Sequence, residues 1–476
     1  MDPETFRREA HRVADWIADY LADPSTYPVL ARVAPGDVRK QLPAEAPQNG
    51  ESFDAIFSDF EKVILPGITH WNHPGFFAYF SITASGPGVL AEFLAAALNQ
   101  QAMLWRTSPS ATELEEVVLR WLQRLMHLPD EFEGVIYDTA SISTLHALAA
   151  ARQRAVPGIR ERGMAGREDL GRFRVYCSDQ THSSIDKSVI LLGLGHESLQ
   201  KIPTDADFRM RVDALRAAIA ADRATGITPL AVVATIGSTS TTSVDPLREI
   251  AAICSQERIW LHVDAAYAGV AAMVPGFEHL LDGVATADSL VVNPHKWLFT
   301  PFDLSVLYCR LMDVIRDAFS LVPEYLRTTD PSGIRNLMDT GIQLGRRFRA
   351  LKLWMVMRHF GAEGLRARLA EHMRLARLFA SWIEASDDFE LLAPVPFSVV
   401  CFRWKPKEAH TDVKLDEGNE RLLEAINRTG ETFMSHTRLD NQFAIRLAVG
   451  NLHTTEVHVD RAWKLIREHA KDLKLS

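Results

Sequence analysis

One lysine in this chain is placed where it could form a covalent bond with a carbonyl compound. Lys296 lies in the segment NPHKW (293–297), directly after the apolar run 290–292. Desolvation lowers the pKa of a lysine, and a neutral amine is the form that attacks an aldehyde to give a Schiff base. A solvated lysine at a strand end is the alternative for this residue taken alone.

Three other polar segments also follow apolar runs. Asp264 ends the run 259–263, where its carboxylate could keep a pyridinium nitrogen protonated or could simply cap a helix. The segment DTAS (138–141) precedes a helical pattern, and a helix N-terminus suits a phosphate as well as an ordinary cap. His182 follows the mostly apolar segment FRVYCSD (173–179) and could stack on a flat ring or serve a structural role.

Together these segments describe one ligand. Pyridoxal phosphate (PLP) has an aldehyde, a protonated ring nitrogen, a phosphate and a flat ring. The four segments offer one partner for each of these groups. A dinucleotide site is disfavoured because Gly193-Leu194-Gly195 lacks a third glycine and the strand–turn–helix setting. The histidines show no convincing metal-ligand spacing, so no metal is expected.

Composition narrows the class of protein further. A net charge of −9 with no basic block argues against nucleic-acid or anionic-lipid partners. The longest stretch without charged residues, 63–91, contains prolines and polar residues and does not predict a membrane helix. The four scattered cysteines form no CxxC pair, which favours a reducing cytoplasm.

Periodicity predicts the elements that must position these residues. Apolar residues at helical spacing predict an amphipathic helix over 5–21. From about residue 86, short β-branched runs alternate with helical patterns, which is typical of an α/β protein with a mostly parallel sheet covered on both faces. The chain from about residue 366 has the pattern of a small α+β domain.

Motifs along nearly the whole chain resemble the aromatic-L-amino-acid decarboxylases, which are group II PLP-dependent decarboxylases. The motifs are THWNHP and FFAYF (within 69–80), DQTHSS (179–184), ATIGSTST (234–241), HVDAAYAG (262–269), NPHKW (293–297) and LGRRFRALKLW (344–354). The resemblance implies the aspartate-aminotransferase-like fold type I, with a seven-stranded, mostly parallel sheet. It also implies a homodimer with an N-terminal helical segment (1–85) packed on the partner, a large PLP-binding domain (86–365) and a small C-terminal domain (366–476).

The resemblance also implies roles for individual residues. Lys296 is the Schiff-base lysine, Asp264 the partner of the pyridine nitrogen and His182 the residue that stacks on the ring. Tyr325 is the proton donor, helped by His182, and Asp245 braces the site. The full set of implied cofactor residues is Ala140, Ser141, His182, Thr239, Asp264, Ala266, Asn293, His295 and Lys296.

The implied reaction is decarboxylation of an aromatic L-amino acid to its amine and CO2. The implied substrate-binding residues are Trp71, Tyr79, Phe80, Ile82, Met103 and Gly345. Ile82 stands where the animal enzymes of this family have a threonine that would contact the ring hydroxyls of a catechol substrate. Phenylalanine, tyrosine, tryptophan and dihydroxyphenylalanine therefore all stay open as substrates. Two alternatives are oxidative deamination to an aromatic aldehyde and a non-catalytic PLP-binding protein. The first is disfavoured because Tyr325 and His182 are present, the second because Lys296 and Asp264 are intact.

Overall fold

The computed structural model describes residues 1–321, 334–407 and 411–473. Contacts divide the chain into two compact units. The first comprises Met1–Ser81, Leu378–Leu392 and Phe402–Ser476, and the second comprises Ile82–Arg377 and Ala393–Cys401. The division into parts at 85/86 and 365/366 stays a prediction. Within the described ranges, no helix is both long enough and apolar enough to cross a bilayer.

The strands of the described residues form two sheets. In chain order they are β1 (Phe76–Phe77), β2 (Glu133–Tyr137), β3 (Phe173–Ser178), β4 (Leu199–Ile202), β5 (Thr228–Thr235), β6 (Trp260–Asp264), β7 (Ser289–Val292), β8 (Ser305–Cys309), β9 (Phe389–Leu391), β10 (Val399–Trp404), β11 (Phe433–Leu439) and β12 (Gln442–Ala448).

The helices alternate with these strands in the second unit and flank them in the first. They are α1 (Pro3–Ala22), α2 (Asp37–Gln41), α3 (Phe53–Asp59), α4 (Gly86–Leu98), α5 (Pro109–Leu125), α6 (Ala140–Ala155), α7 (Ile159–Arg162), α8 (Ser184–Leu191), α9 (Val212–Ala224), α10 (Leu247–Glu257), α11 (Pro294–Trp297), α12 (Met312–Phe319), α13 (Ala350–Glu384), α14 (Asp412–Arg428) and α15 (Glu456–Asp472). Helix α13 is interrupted at Gly361, whose φ of 63° and ψ of 171° are not helical.

The second unit is built on a seven-stranded sheet in the order β2-β8-β7-β6-β5-β3-β4. Strand β8 is antiparallel to both of its neighbours, and the remaining pairs are parallel. Strands β5, β6 and β7 are almost completely buried, as expected for apolar runs covered on both faces. The prediction of a fold type I sheet of seven mostly parallel strands is therefore confirmed.

The first unit contains the second sheet and the N-terminal helix. Its strand order is β1-β11-β12-β10-β9, and β10 belongs to this unit from Phe402 onward. The predicted helix over 5–21 is α1, which begins after Asp2, whose carboxylate accepts hydrogen bonds from the N–H groups of Glu4 and Thr5. Strand β1 pairs in parallel with β11, which joins the aromatic segment near residue 76 to the C-terminal part of the chain.

Candidate active site

The candidate cofactor residues of the second unit lie at one edge of its sheet. Strands β3, β5, β6 and β7 are parallel neighbours, and β2 runs in the same direction because both β2 and β7 are antiparallel to β8. The carboxyl ends of all five strands therefore meet at the same edge, which is where ligands bind in open α/β sheets. The segments that carry the candidate residues each follow one of these ends.

Lys296, Asp264 and His182 lie close enough for their charges to interact. Desolvation lowers the pKa of His182, the ammonium of Lys296 lowers it further, and the carboxylate of Asp264 opposes the shift. Lys296 is half-buried in the short helix α11, and Asp264 is buried at the end of β6. The Nδ1 atom of His182 accepts a hydrogen bond from the N–H of Ser184 at 3.1 Å and lies 2.9 Å from the Ser184 hydroxyl, which fixes one edge of the imidazole.

The N-terminus of α6 is the candidate phosphate-binding part of the site. The helix begins at Ala140 and Ser141, and the side chain of its N-cap residue Thr139 does not cap it. The Thr139 hydroxyl instead donates to Asp138 at 3.0 Å. Since the first N–H groups of a helix have no partner within the helix, this end can bind an anion.

Asn293 and His295 come shortly before Lys296 in the chain and are both buried. The N–H of Asn293 donates to the carbonyl of Ala266 at 3.0 Å, while its side-chain oxygen has no hydrogen-bond partner among the described residues. The Nδ1 atom of His295 accepts from the N–H of Leu304 at 2.9 Å. Burial lowers the pKa of His295 to about 3, so its imidazole is neutral with the proton on Nε2.

Asp245 supports the strand next to Asp264. One of its carboxylate oxygens accepts from the N–H of Met210 at 2.7 Å, and the other accepts from the N–H of Thr235 at 2.8 Å. Thr235 is the register partner of Asp264 across β5 and β6. Complete burial raises the pKa of Asp245 to about 6 despite these two hydrogen bonds. Asp245 therefore contacts the backbone of the strand next to Asp264, and its bracing role stays a prediction.

Aromatic stacking joins the two most specific motifs. The rings of Tyr267 and Trp297 are parallel, with centroids 4.7 Å apart and an angle of 7° between their planes. Trp297 is buried and donates a hydrogen bond from Nε1 to His372 at 3.0 Å. The stack holds the turn after Asp264 against the helix that carries Lys296.

The remaining predicted residues of the second unit are less closely tied to Lys296 and Asp264. Thr239 is exposed in the turn after β5, and Ile82 is half-buried before α4. Met103 packs beside Leu104 and Met338. A Cβ atom at Gly345 would lie 3.3 Å from Nε2 of Gln101, so the room at this position is limited by that amide. Tyr325 lies outside the described residues.

Trp71, Tyr79 and Phe80 belong to the first unit. Trp71 stacks on Phe76 at 4.4 Å and on Tyr79 at 5.9 Å. Tyr79 is 55% exposed and has a φ of 52°. The guanidinium of Arg446 lies 4.8 Å above the ring of Phe80. Trp71 and Tyr79 therefore stack on each other while Phe80 is buried, and the role of the three residues in substrate binding stays a prediction.

The residues present fit PLP. A buried polar atom without a partner is rare in proteins, and the side-chain oxygen of Asn293, three residues before Lys296, is such an atom. Because this oxygen is an acceptor, it suits a donor group of the cofactor and not the phosphate. The uncapped start of α6 supplies backbone donors for the phosphate. At the other end, the Asp264 carboxylate suits a protonated ring nitrogen, and Lys296 suits the aldehyde.

Sequence reasoning missed several side chains that support the site. Gln343 donates to the second oxygen of Asp138 at 3.2 Å, and a buried hydrogen bond joins Thr144 to His262. The signal for His262 was present, because it lies two residues before Asp264 on the same face of a strand. No local pattern pointed to Gln343, which reaches the site from more than 200 positions away.

Comparisons with known proteins agree with this chemistry. Residues 35–405 match the model of the pyridoxal-dependent decarboxylase conserved domain. The chain is 39% identical to an aromatic-L-amino-acid decarboxylase of Catharanthus roseus, covering 99% of this chain and 95% of the relative. It is 40% identical to a phenylacetaldehyde synthase of Arabidopsis thaliana, covering 99% and 97%.

A solved structure is similar over the whole length. The structure of Oryza sativa TDC with PLP and tryptamine superposes with a TM-score of 0.95 at 36% identity, covering 99% of both chains. The family match, the full-length relatives and the convergence of Lys296, Asp264 and His182 at one sheet edge lead to the same conclusion. The chain belongs to the pyridoxal-dependent decarboxylase family.

Proposed function

We propose that this chain converts aromatic L-amino acids into the corresponding amines and CO2, with PLP as its cofactor. Membership of the family makes it a PLP-dependent carboxy-lyase. The observation that carries the residue assignment is the convergence of Lys296, Asp264 and His182 at the carboxyl ends of neighbouring parallel strands. Names of full-length relatives, which include tryptophan and tyrosine decarboxylases, support the aromatic class of substrate.

Each residue has a distinct task in this proposal. When bound, PLP supplies an electron sink for the electron pair that remains when CO2 departs. Lys296 would hold the cofactor through its side-chain amine. Asp264 would keep a proton on the ring nitrogen, which favours the charge that develops in the transition state. Asn293, His295 and the start of α6 would hold the phosphate.

Two further residues act on the substrate side. His182 stacks on the ring, with its imidazole oriented by the hydrogen bond from Ser184. Tyr325 donates a proton to Cα after the carboxylate has left, which gives the amine as product. His182 assists that transfer, since its lowered pKa keeps the imidazole neutral at physiological pH and able to pass on a proton.

A substrate panel tests the proposed reaction directly. The PLP-loaded protein is incubated with phenylalanine, tyrosine, tryptophan, dihydroxyphenylalanine and, as a control, glutamate, and amines are identified by mass spectrometry. We expect amines from one or more aromatic substrates and none from glutamate. Amine formation from glutamate alone would contradict the aromatic assignment while leaving the cofactor chemistry intact.

A second candidate reaction is oxidative deamination to an aromatic aldehyde. It is favoured by one observation, the 40% identity to a phenylacetaldehyde synthase over nearly the full length. The presence of both His182 and Tyr325 supports simple decarboxylation instead. Peroxide and aldehyde measured under air, alongside the amine, separate the two reactions.

We also propose that the protein is a homodimer that forms through α4. Leu90, Phe93, Leu94 and Leu98 lie on one side of this helix, and each is more than half exposed. Exposed apolar surface of this kind marks an interaction site. Phe93→Glu is expected to lower the molar mass in solution to that of a monomer. Val457→Glu is the control, at an exposed position with no other large exposed apolar residue beside it in the chain, and leaves the molar mass unchanged.

The proposed compartment is a reducing cytoplasm. None of the four cysteines forms a disulfide, all four are buried, and burial raises the pKa of the Cys177 thiol to about 11. Buried, protonated thiols without disulfides suit such a compartment.

A further inference from the structure

Three buried side chains form a hydrogen-bonded chain beneath the cofactor residues, which we call the Thr144–His262–Ser289 chain. Thr144 Oγ1 lies 3.2 Å from His262 Nε2, and His262 Nδ1 lies 2.9 Å from Ser289 Oγ. None of the three side chains is accessible to solvent. A neutral imidazole donates from one nitrogen and accepts at the other, so His262 can bond to both hydroxyls at once.

Each member of the chain belongs to an element that carries proposed cofactor residues or leads directly to them. Thr144 lies about one turn after Ala140, at the start of α6. His262 lies two residues before Asp264 in β6, so the two side chains project from the same face of the sheet. Ser289 begins β7, the strand that leads to Lys296.

The contribution of His262 to the site is geometric. Complete burial lowers the pKa of its imidazole to about 4, although the Asp264 carboxylate acts in the opposite direction. At neutral pH the side chain therefore carries no charge. Ser289 is itself oriented, because Nε1 of Trp260 donates to its hydroxyl at 3.0 Å.

We propose that His262 is a positioning residue of the cofactor site, which sets the spacing between the N-terminus of α6 and Asp264. PLP would be held at these two places, by its phosphate and by its ring nitrogen. The inference rests on the proposed function, since it concerns the same cofactor. Without the link between Thr144 and His262, the two ends of the site are no longer held at the spacing that the cofactor requires.

Amide side chains can test the two hydrogen bonds of His262 separately. The terminal amide of Asn reaches the position of Nδ1 and keeps the bond to Ser289, whereas that of Gln reaches the position of Nε2 and keeps the bond to Thr144. Thr144→Val removes the bond between Thr144 and His262, as His262→Asn does, but leaves His262 in place. The test therefore does not depend on whether the histidine variants fold. Ser305→Ala is the matched control, because it removes the 2.8 Å hydrogen bond between Ser305 and Ser143, which ties α6 to β8.

The readouts are the dissociation constant of PLP, the visible circular dichroism of the bound cofactor and the urea midpoint of the full-length protein. Thr144→Val and His262→Asn are expected to weaken PLP binding about two- to tenfold, the range for one buried hydrogen bond, and to change the dichroism. His262→Gln and Ser305→Ala are expected to keep the wild-type binding and dichroism.

Two results would overturn the inference. The first is that Thr144→Val has the same PLP dissociation constant and the same visible dichroism as the wild type. The second is that Thr144→Val and Ser305→Ala change the PLP dissociation constant equally, which would make the Thr144–His262–Ser289 chain a general packing feature. Failure of the proposed function looks different, because the wild-type protein would then give no PLP adduct at Lys296 on borohydride reduction.

Discussion

Mild acid is expected to destabilise this protein strongly because three buried histidines of the second unit must stay neutral. Burial lowers the pKa of His146 and of His262 to about 4, and that of His295 to about 3. In the unfolded chain a histidine titrates near 6.5. Because the folded pKa is depressed, the stabilisation is fully present above about pH 6.5 and is lost progressively as the pH falls toward 4.

The magnitude follows from proton linkage. At pH 5.5 an unfolded histidine with a pKa of about 6.5 holds roughly 0.9 proton, whereas these folded histidines hold almost none. Each therefore loses about 1.4 kcal/mol of stability between neutral pH and pH 5.5, or about 4 kcal/mol for the three together. Asp245 partly offsets this loss, because its raised pKa of about 6 stabilises the folded state as the pH falls.

A single substitution isolates one histidine. His146 packs between Tyr137 and Phe319, and its Nδ1 atom is buried without a partner in the described structure. Urea unfolding of the wild type and His146→Leu at pH 7.5 and 5.5, at one protein concentration, compares their losses of stability. The variant is expected to lose about 1.4 kcal/mol less than the wild type. Equal losses would show that His146 is not a neutral buried group, and the reasoning from its burial would be wrong.

Three further predictions concern the chemistry. Lys296→Ala should abolish the borohydride-stable PLP adduct and most turnover but leave the circular dichroism of the backbone unchanged; an adduct that persists would contradict the assignment. Asp264→Asn should slow decarboxylation by ~10²–10³, the effect of losing one preorganised electrostatic partner, and near-normal rates with PLP bound would place Asp264 away from the ring nitrogen. Tyr325→Phe should divert product from amine to aldehyde and peroxide under air with little change in substrate affinity; normal amine yield would assign the proton to another donor.

Local sequence patterns were sufficient to predict the polar edge of the large sheet. Lys296, Asp264 and His182 each follow an apolar run that forms a buried parallel strand, and parallel strands present their carboxyl ends at one edge. The segment DTAS (138–141) was expected to precede a helix, but α6 begins within it, at Ala140. Short polar residues suit both a cap and a first helical turn, so the pattern alone could not decide the boundary.

Other features depended on contacts between residues far apart in the chain. Strand β1 pairs with β11 across more than 350 positions, and Thr144 meets His262 across more than 100. Hydrophobic periodicity reports which face of an element is buried but not which element covers it. The amino-acid sequence by itself therefore predicted the N-terminal helix, the alternation of apolar strands with helices and the residue types at the strand ends. Only the tertiary structure decided which residue each buried polar side chain is hydrogen-bonded to, because packing across the sheet selects the partner.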